Sequence, residues 1–142
     1  MNVARKYNLF VVEDFAQAQG ATFQSKPVGS FGHINATSFY PAKNIGAAGD
    51  AGAIVTSDEK LYSKAALLRN YGSTTKYIHD LPGKNSRLDE IQAALLNLKL
   101  PLLDNWNTER RRIAGRYCNN LAQEKNIKLP VCIPNAEHVY HL

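Results

Sequence analysis

Short continuous apolar runs mark the first part of the chain. Leu9-Phe10-Val11-Val12 stops at Glu13-Asp14, Ala36 to Tyr40 is a similar run, and Ala51 to Thr56 is bracketed by Gly49-Asp50 and Ser57-Asp58. Runs of this length without polar alternation predict three strands buried on both faces. Helical signals surround them. Asn2 to Asn8 has helical character, and Asp58 to about Asn70 carries Leu61, Ala65 and Leu68 on one stripe, with Gly72 placed to stop it. Tyr71 to Lys84 reads as a long loop. Ser86-Arg87-Leu88-Asp89 resembles a capping box opening a helix with Leu88, Ile91, Leu95 and Leu98 inward. Pro101 should break that helix, because it lacks an N–H and crowds the preceding turn. A further helix is predicted from about Leu103 to Lys125, with Trp106, Ile113, Tyr117 and Leu121 as its inward stripe. Lys128 to Leu142 reads as extended chain ending on the start of a strand at His138-Val139-Tyr140-His141-Leu142.

Three buried strands, two or three helices and no tight hairpin signal describe an α/β protein. Strands apolar on both faces need neighbours on both edges and cover on both sides. The first and last elements look cut rather than capped, so a part of a larger domain is one expectation.

Composition narrows the function classes. The 142 residues are 44% hydrophobic and 20% charged, which excludes disorder, collagen and coiled coil as whole-chain readings. No apolar run approaches the roughly 20 residues of a membrane helix, and no signal-peptide core follows Met1, so a soluble cytoplasmic protein is expected. Cys118 and Cys132 lack the spacing of metal or redox pairs and read as reduced and buried, with no metal site. The net charge of +5 suits a phosphate-bearing partner. Much of the excess lies in Arg110, Arg111, Arg112 and Arg116, which read as a solvated helix face, and no basic stretch is interleaved with aromatics as in a nucleic-acid binder.

Two segments could carry chemistry. Asp14 stands at the carboxyl end of a buried strand, where open α/β sheets bind ligands, although it could equally cap the next turn. Lys43, in Ser38-Phe39-Tyr40-Pro41-Ala42-Lys43-Asn44-Ile45-Gly46-Ala47-Ala48-Gly49-Asp50-Ala51-Gly52, follows a strand and is flanked by small residues, so backbone and ligand could approach closely. A neutral lysine amine in a partly desolvated pocket attacks carbonyls, whereas an exposed loop lysine has no such role. Together, Asp14, Ser38 and Lys43 have the chemistry that pyridoxal phosphate requires: an amine for the aldehyde, an acid for the ring nitrogen and a hydroxyl for the phosphate.

The motifs Glu-Asp-Phe-Ala-Gln-Ala-Gln-Gly-Ala at 13 to 21, Ser-Phe-Tyr-Pro-Ala-Lys-Asn-Ile-Gly-Ala at 38 to 47, Gly-Asp-Ala-Gly-Ala at 49 to 53 and Asn-Ser-Arg-Leu-Asp-Glu-Ile-Gln-Ala-Ala at 85 to 94 run in register along the chain. They resemble the DegT family of sugar-nucleotide aminotransferases. The resemblance implies a type I aminotransferase fold, here a partial large domain with a mostly parallel sheet and flanking helices, truncated at both ends. Residues 1–128 would be the carboxyl-terminal half of the cofactor-binding large domain, and 129–142 the start of a small domain.

By the same resemblance, Lys43 holds pyridoxal 5′-phosphate as a Schiff base and moves protons between cofactor and substrate. Asp14 pairs with the ring nitrogen, Gln17 lies against the ring near its phenolic oxygen, and Ser38 binds the phosphate. Asn85 reaches the phosphate in the neighbouring subunit's site, which implies a homodimer. Glutamate would be the amino donor and a nucleoside-diphosphate keto-sugar the acceptor. Lys43 argues against a related dehydrating branch that has histidine there. The tract Asp104-Asn105-Trp106-Asn107-Thr108-Glu109-Arg110-Arg111-Arg112 is most similar to enzymes acting on dTDP-3-keto-6-deoxyhexoses. His33 departs from the acidic residue commoner in the wider family. The competing expectations are an inactive remnant of such an enzyme and a non-catalytic binding module.

Overall fold

The computed structural model describes residues 1–142. Helix α1 (Asn2–Lys6) leads into strand β1 (Val12–Asp14), a small pair β2 (Thr22–Phe23) and β3 (Lys26–Pro27), and strands β4 (Ile34–Ser38) and β5 (Gly52–Val55). Then come α2 (Glu59–Arg69), β6 (Ser73–Thr75), β7 (Ile78–His79), α3 (Glu90–Lys99), a 3-10 turn at Leu100–Leu102, α4 (Leu103–Leu121) and β8 (Ala136–Glu137). The main sheet has the order β1-β4-β5. β1 runs parallel to β4 with Asp14 opposite Ala36, and β5 returns antiparallel with Gly52 opposite Ser38. A second sheet, β3-β2-β8, ties the end of the chain to its beginning.

Local chemistry explains where the elements stop. Asp58 caps α2 by accepting from the N–H groups of Lys60 and Leu61 at 2.8 and 3.0 Å. Pro101 ends α3 as expected, and the chain passes through the 3-10 turn directly into α4. The apolar core is small: Ile45, Ala47, Leu96 and Leu103, with Phe39, Ala51 and Leu88 packed against it. It lies beneath the loop that carries Lys43.

Several expectations are corrected. The strands are not buried on both faces: Phe10, just before β1, is 84% exposed, Val12 and Ile54 are also exposed for want of a layer packed over them, and β1 and β5 each have only β4 as a neighbour. The expected loop 71–84 contains the irregular hairpin β6-β7, whose register shift between Ser73 and Thr75 leaves no tight-turn signature in the sequence. Helix α3 starts at Glu90 and Asp89 makes no side-chain cap bond. Residues 84–86 are instead held by the end of α2, with Lys84 and Ser86 donating N–H groups to the carbonyls of Leu68 and Arg69. α4 ends at Leu121, and the terminal strand is β8, before His138 rather than at it. Cys118 is half-buried and Cys132 exposed, so neither is a core cysteine.

The helix faces are also turned from expectation. Ile91, Leu98, Trp106, Ile113 and Tyr117 are exposed, while Leu96, Leu103 and Asn107 are buried. The inward positions are partly polar because they bond to the Lys43 loop. Arg110, read as part of a solvated face, is half-buried and donates to the carbonyls of Tyr140 and His141, both at 3.1 Å.

Open edges on β1 and β5 beside exposed apolar side chains are templates for association. Produced as these 142 residues alone, the chain is expected to self-associate in light scattering, and Phe10→Ser with Val12→Thr to reduce that association. A monodisperse monomer that unfolds in one sharp transition contradicts the expectation.

Candidate functional site

The parallel pairing of β1 and β4 brings Asp14 and Ser38 to the same edge of the sheet. Asp14 is the last residue of β1, opposite Ala36, and Ser38 lies two residues further along β4. At about 3.3 Å per residue, the hydroxyl stands roughly 7 Å beyond that register point, still at the carboxyl edge. The Asp14 carboxylate is exposed, and one of its oxygens accepts from the Ala16 N–H at 3.0 Å. The local turn expected for this residue therefore exists alongside its position at the ligand edge. Ser38 Oγ accepts from the Tyr40 N–H at 3.1 Å, which leaves its own proton available to another acceptor. Gln17 is exposed on the turn after β1.

Lys43 stands on a loop closed at its base by the Ala47 N–H donating to the Phe39 carbonyl at 2.7 Å. Gly46 permits the closure, since a Cβ there would lie 2.4 Å from the Pro41 carbonyl oxygen. Lys43 itself is half-buried. Asn85 stands apart from these residues within the protomer, pairing with Asn70 across a bridge and accepting from Arg87 through its side chain.

The loop is held from beneath by buried amides. Gln19 Nε2 donates to Thr37 Oγ1 and the Ser38 carbonyl at 3.1 and 2.7 Å, while its Oε1 accepts from the Ile45 N–H at 3.1 Å. Asn44 Nδ2 donates to Asn107 Oδ1 at 2.7 Å and to the Val139 carbonyl at 3.2 Å. Asn107 Nδ2 closes the circuit on the Gln19 carbonyl at 2.9 Å. From α3, Lys99 Nζ donates to the Gly46 carbonyl at 2.5 Å and Gln92 Oε1 accepts from the Ala48 N–H at 2.8 Å. Gly20 completes the fit, because its φ is +82° and a Cβ would meet Asn107 Nδ2 at 2.5 Å.

Residues 1–142 match the DegT/DnrJ/EryC1/StrS aminotransferase family throughout. The chain belongs to this family. It is 50% identical over 140 residues to the dTDP-3-amino-3,6-dideoxy-alpha-D-galactopyranose transaminase of Aneurinibacillus thermoaerophilus, covering 99% of this chain and 38% of the relative. It is 48% identical over 141 residues to the UDP-N-acetyl-3-dehydro-alpha-D-glucosamine 3-aminotransferase of Acidithiobacillus ferrooxidans, again 99% and 38%. The crystal structure of S. venezuelae DesV in complex with a ketimine intermediate superimposes with a TM-score of 0.95 at 46% identity, over 99% of this chain and 38% of that one. The chain thus spans a little over a third of the length of these DegT-family relatives.

Pyridoxal 5′-phosphate is the cofactor that DegT-family membership indicates. The donor set fits it. An exposed carboxylate with one oxygen engaged by Ala16, a hydroxyl with its proton to give and the braced loop that carries Lys43 stand at one edge of the sheet, and these are the groups that the cofactor's ring nitrogen, phosphate and aldehyde call for. Sequence reasoning missed the bracing residues. Gln19 and Asn44 lie inside the family motifs, but Asn107 lies outside the stripe of Trp106, Ile113, Tyr117 and Leu121 that was expected to face inward. Glu13 is another: its carboxylate accepts from the N–H groups of Gly29, Phe31 and Gly32 at 2.7, 2.9 and 3.3 Å, fixing the turn before β4. His33 has a structural place, with Nδ1 accepting from the Val11 N–H at 2.9 Å and its ring edge-on to Phe10.

Asn107→Leu removes both the acceptor for Asn44 and the donor to Gln19. Each buried group left unpaired costs about 1–3 kcal/mol. Denaturant unfolding of the full-length protein is therefore expected to show a loss of about 2–5 kcal/mol for Asn107→Leu, against almost none for Asn119→Ala on the exposed side of α4.

Proposed function

We propose that the complete protein is a pyridoxal-phosphate-dependent aminotransferase that moves the amino group of glutamate onto the ketone of a nucleoside-diphosphate sugar. The observation that carries this reading is the sharing of one sheet edge by Asp14, Ser38 and the braced loop of Lys43. The cofactor supplies an electron sink that makes a carbon-bound proton labile.

This chain's residues supply the rest. The amine of Lys43 would hold the cofactor's aldehyde carbon and, once released, would serve as the acid and base for proton transfer. The carboxylate of Asp14 would accept from the protonated ring nitrogen. Ser38, which accepts from the Tyr40 N–H, would donate its own proton to the phosphate. Gln17, on the turn beside Asp14, would contact the ring. The substrate proposed is a dTDP-3-keto-6-deoxyhexose, for deoxy-amino-sugar biosynthesis in the cytoplasm. Position 3 of the sugar is the feature common to the names of both relatives, as a 3-amino group in one and a 3-dehydro group in the other, whereas their nucleotides differ.

The site is completed by a homodimer in which Asn85 reaches the phosphate in the partner's site. Exposure of Asn85, together with the exposed apolar Ile91 and Leu98 on the following helix, supports that arrangement. Residues 1–128 are assigned to the large domain and 129–142 to the start of a small one. Buried Val139 and the bond from Asn44 to its carbonyl keep that second segment docked on the first.

Incubation of the full-length protein with glutamate and a dTDP-3-keto-6-deoxyhexose is expected to give 2-oxoglutarate and the 3-amino sugar in equal amounts. Lys43→Arg should lower kcat by more than about 10³-fold, since both the covalent and the proton-transfer roles are lost. Turnover with the UDP-linked 3-keto sugar alone would move the substrate assignment to that nucleotide. Absence of 2-oxoglutarate with any keto-sugar favours the remnant or binding-module reading.

A further inference from the structure

We infer that Arg110 is a positioning residue for the Lys43 loop: its guanidinium clamps residues 139–141 as a strap against the loop, and Asn44 passes the hold of the strap to the lysine. The inference rests on the proposed role of Lys43 and concerns what keeps its loop in the shape that takes the cofactor.

Every link between the two residues is a hydrogen bond or a peptide bond. Arg110 Nη1 donates to the carbonyls of Tyr140 and His141, both at 3.1 Å, with one proton for each. Val139 and His141 in turn hold Asn44, whose Nδ2 donates to the Val139 carbonyl at 3.2 Å and whose Oδ1 faces His141 Nδ1 at 3.0 Å. Asn44 follows Lys43 in the chain, and the Lys43 N–H donates to the Tyr40 carbonyl at 2.9 Å. Val139 and Asn44 are buried, so a broken bond there is not readily replaced by water.

The backbone shows that the strap is held under constraint. Tyr140 has a φ of +45°, a conformation disfavoured for a bulky side chain that persists only where the surroundings impose it. Its N–H donates to His138 Nδ1 at 2.8 Å, and its carbonyl is taken by Arg110. Arg110 is half-buried yet forms no ion pair, since the salt bridge on α4 joins Arg112 to Glu109. A guanidinium drawn from water without a counter-charge depends on the carbonyls it meets. Leu103, Asn107 and Arg110 stand at i, i+4 and i+7 of α4, so one helix face supports the core, the loop and the strap in turn. The other end of the strap is fixed separately, by β8 paired to β2 and by the Gln24 N–H donating to the Asn135 carbonyl at 2.7 Å. Loss of Arg110 therefore frees the end that touches Asn44.

Hydrogen exchange on the cofactor-free full-length protein tests the link without any catalysis. Arg110→Met is expected to speed exchange of the strap amides and, with them, of the Ile45 and Ala47 N–H groups by about tenfold, the scale of one lost charge-assisted bond. Arg116→Met removes the same charge from an exposed position of α4 and should change neither. Loop amides that keep their rates in Arg110→Met overturn the inference. Cofactor affinity is the second readout. A loop that binding must first re-order binds more weakly by the same factor, so the Kd for pyridoxal 5′-phosphate should rise about tenfold in Arg110→Met. Arg110→Lys keeps several protons on one nitrogen and should recover most of that affinity. An unchanged Kd in Arg110→Met, or a lysine no better than methionine, overturns the positioning role. A protein that binds no pyridoxal phosphate counts against the proposed function, and the exchange rates still decide the strap.

Discussion

The circuit of three buried side-chain amides, Gln19, Asn44 and Asn107, is the interaction on which the rest of the structure depends. It joins the turn after β1, the lysine loop, α4 and the end of the chain, segments separated by up to 95 positions in sequence. Each bond contributes only about 0.5–1.5 kcal/mol net, but each unmade one would leave a buried polar group without a partner. The circuit therefore selects one arrangement of the loop more than it stabilises the fold as a whole. With an apolar core of only Ile45, Ala47, Leu96 and Leu103 beneath it, specificity of this kind is what fixes the backbone of the loop that carries Lys43.

The same constraint explains why the helices face as they do. An apolar stripe on α3 and α4 ordinarily points inward, yet Ile91, Leu98, Ile113 and Tyr117 point outward. Gln92 and Lys99 face inward to partner the Ala48 N–H and the Gly46 carbonyl of the loop, and Asn107 to partner the Asn44 side chain and the Gln19 carbonyl. The outward apolar surface, with the open margins of β1 and β5, belongs to a chain that spans a little over a third of its relatives' length.

Much of the candidate site was legible because its proposed chemistry is local in sequence. Asp14, Gln17, Ser38 and Lys43 fall in two short motifs around strands whose apolar runs are unmistakable, and the structure sets Asp14 and Ser38 at one sheet edge. The start of α2 and the end of α3 were legible, since the Asp58 carboxylate caps N–H groups two and three residues ahead and Pro101 acts through its own missing N–H. Their orientation was not legible, because periodicity assumes that the inward face is the apolar one. The hairpin at 73–79 has a bulged register without a turn signature. Asn107 was invisible as a bracing residue, because its role depends on a contact with Asn44 made across 63 residues.

The most direct test of the central claim, that this braced loop presents the cofactor lysine, is covalent capture. Full-length protein loaded with pyridoxal 5′-phosphate, reduced with borohydride and digested should carry the pyridoxyl group on one peptide, with fragmentation placing it at Lys43. Label at Lys99, at another lysine, or at none would contradict the account.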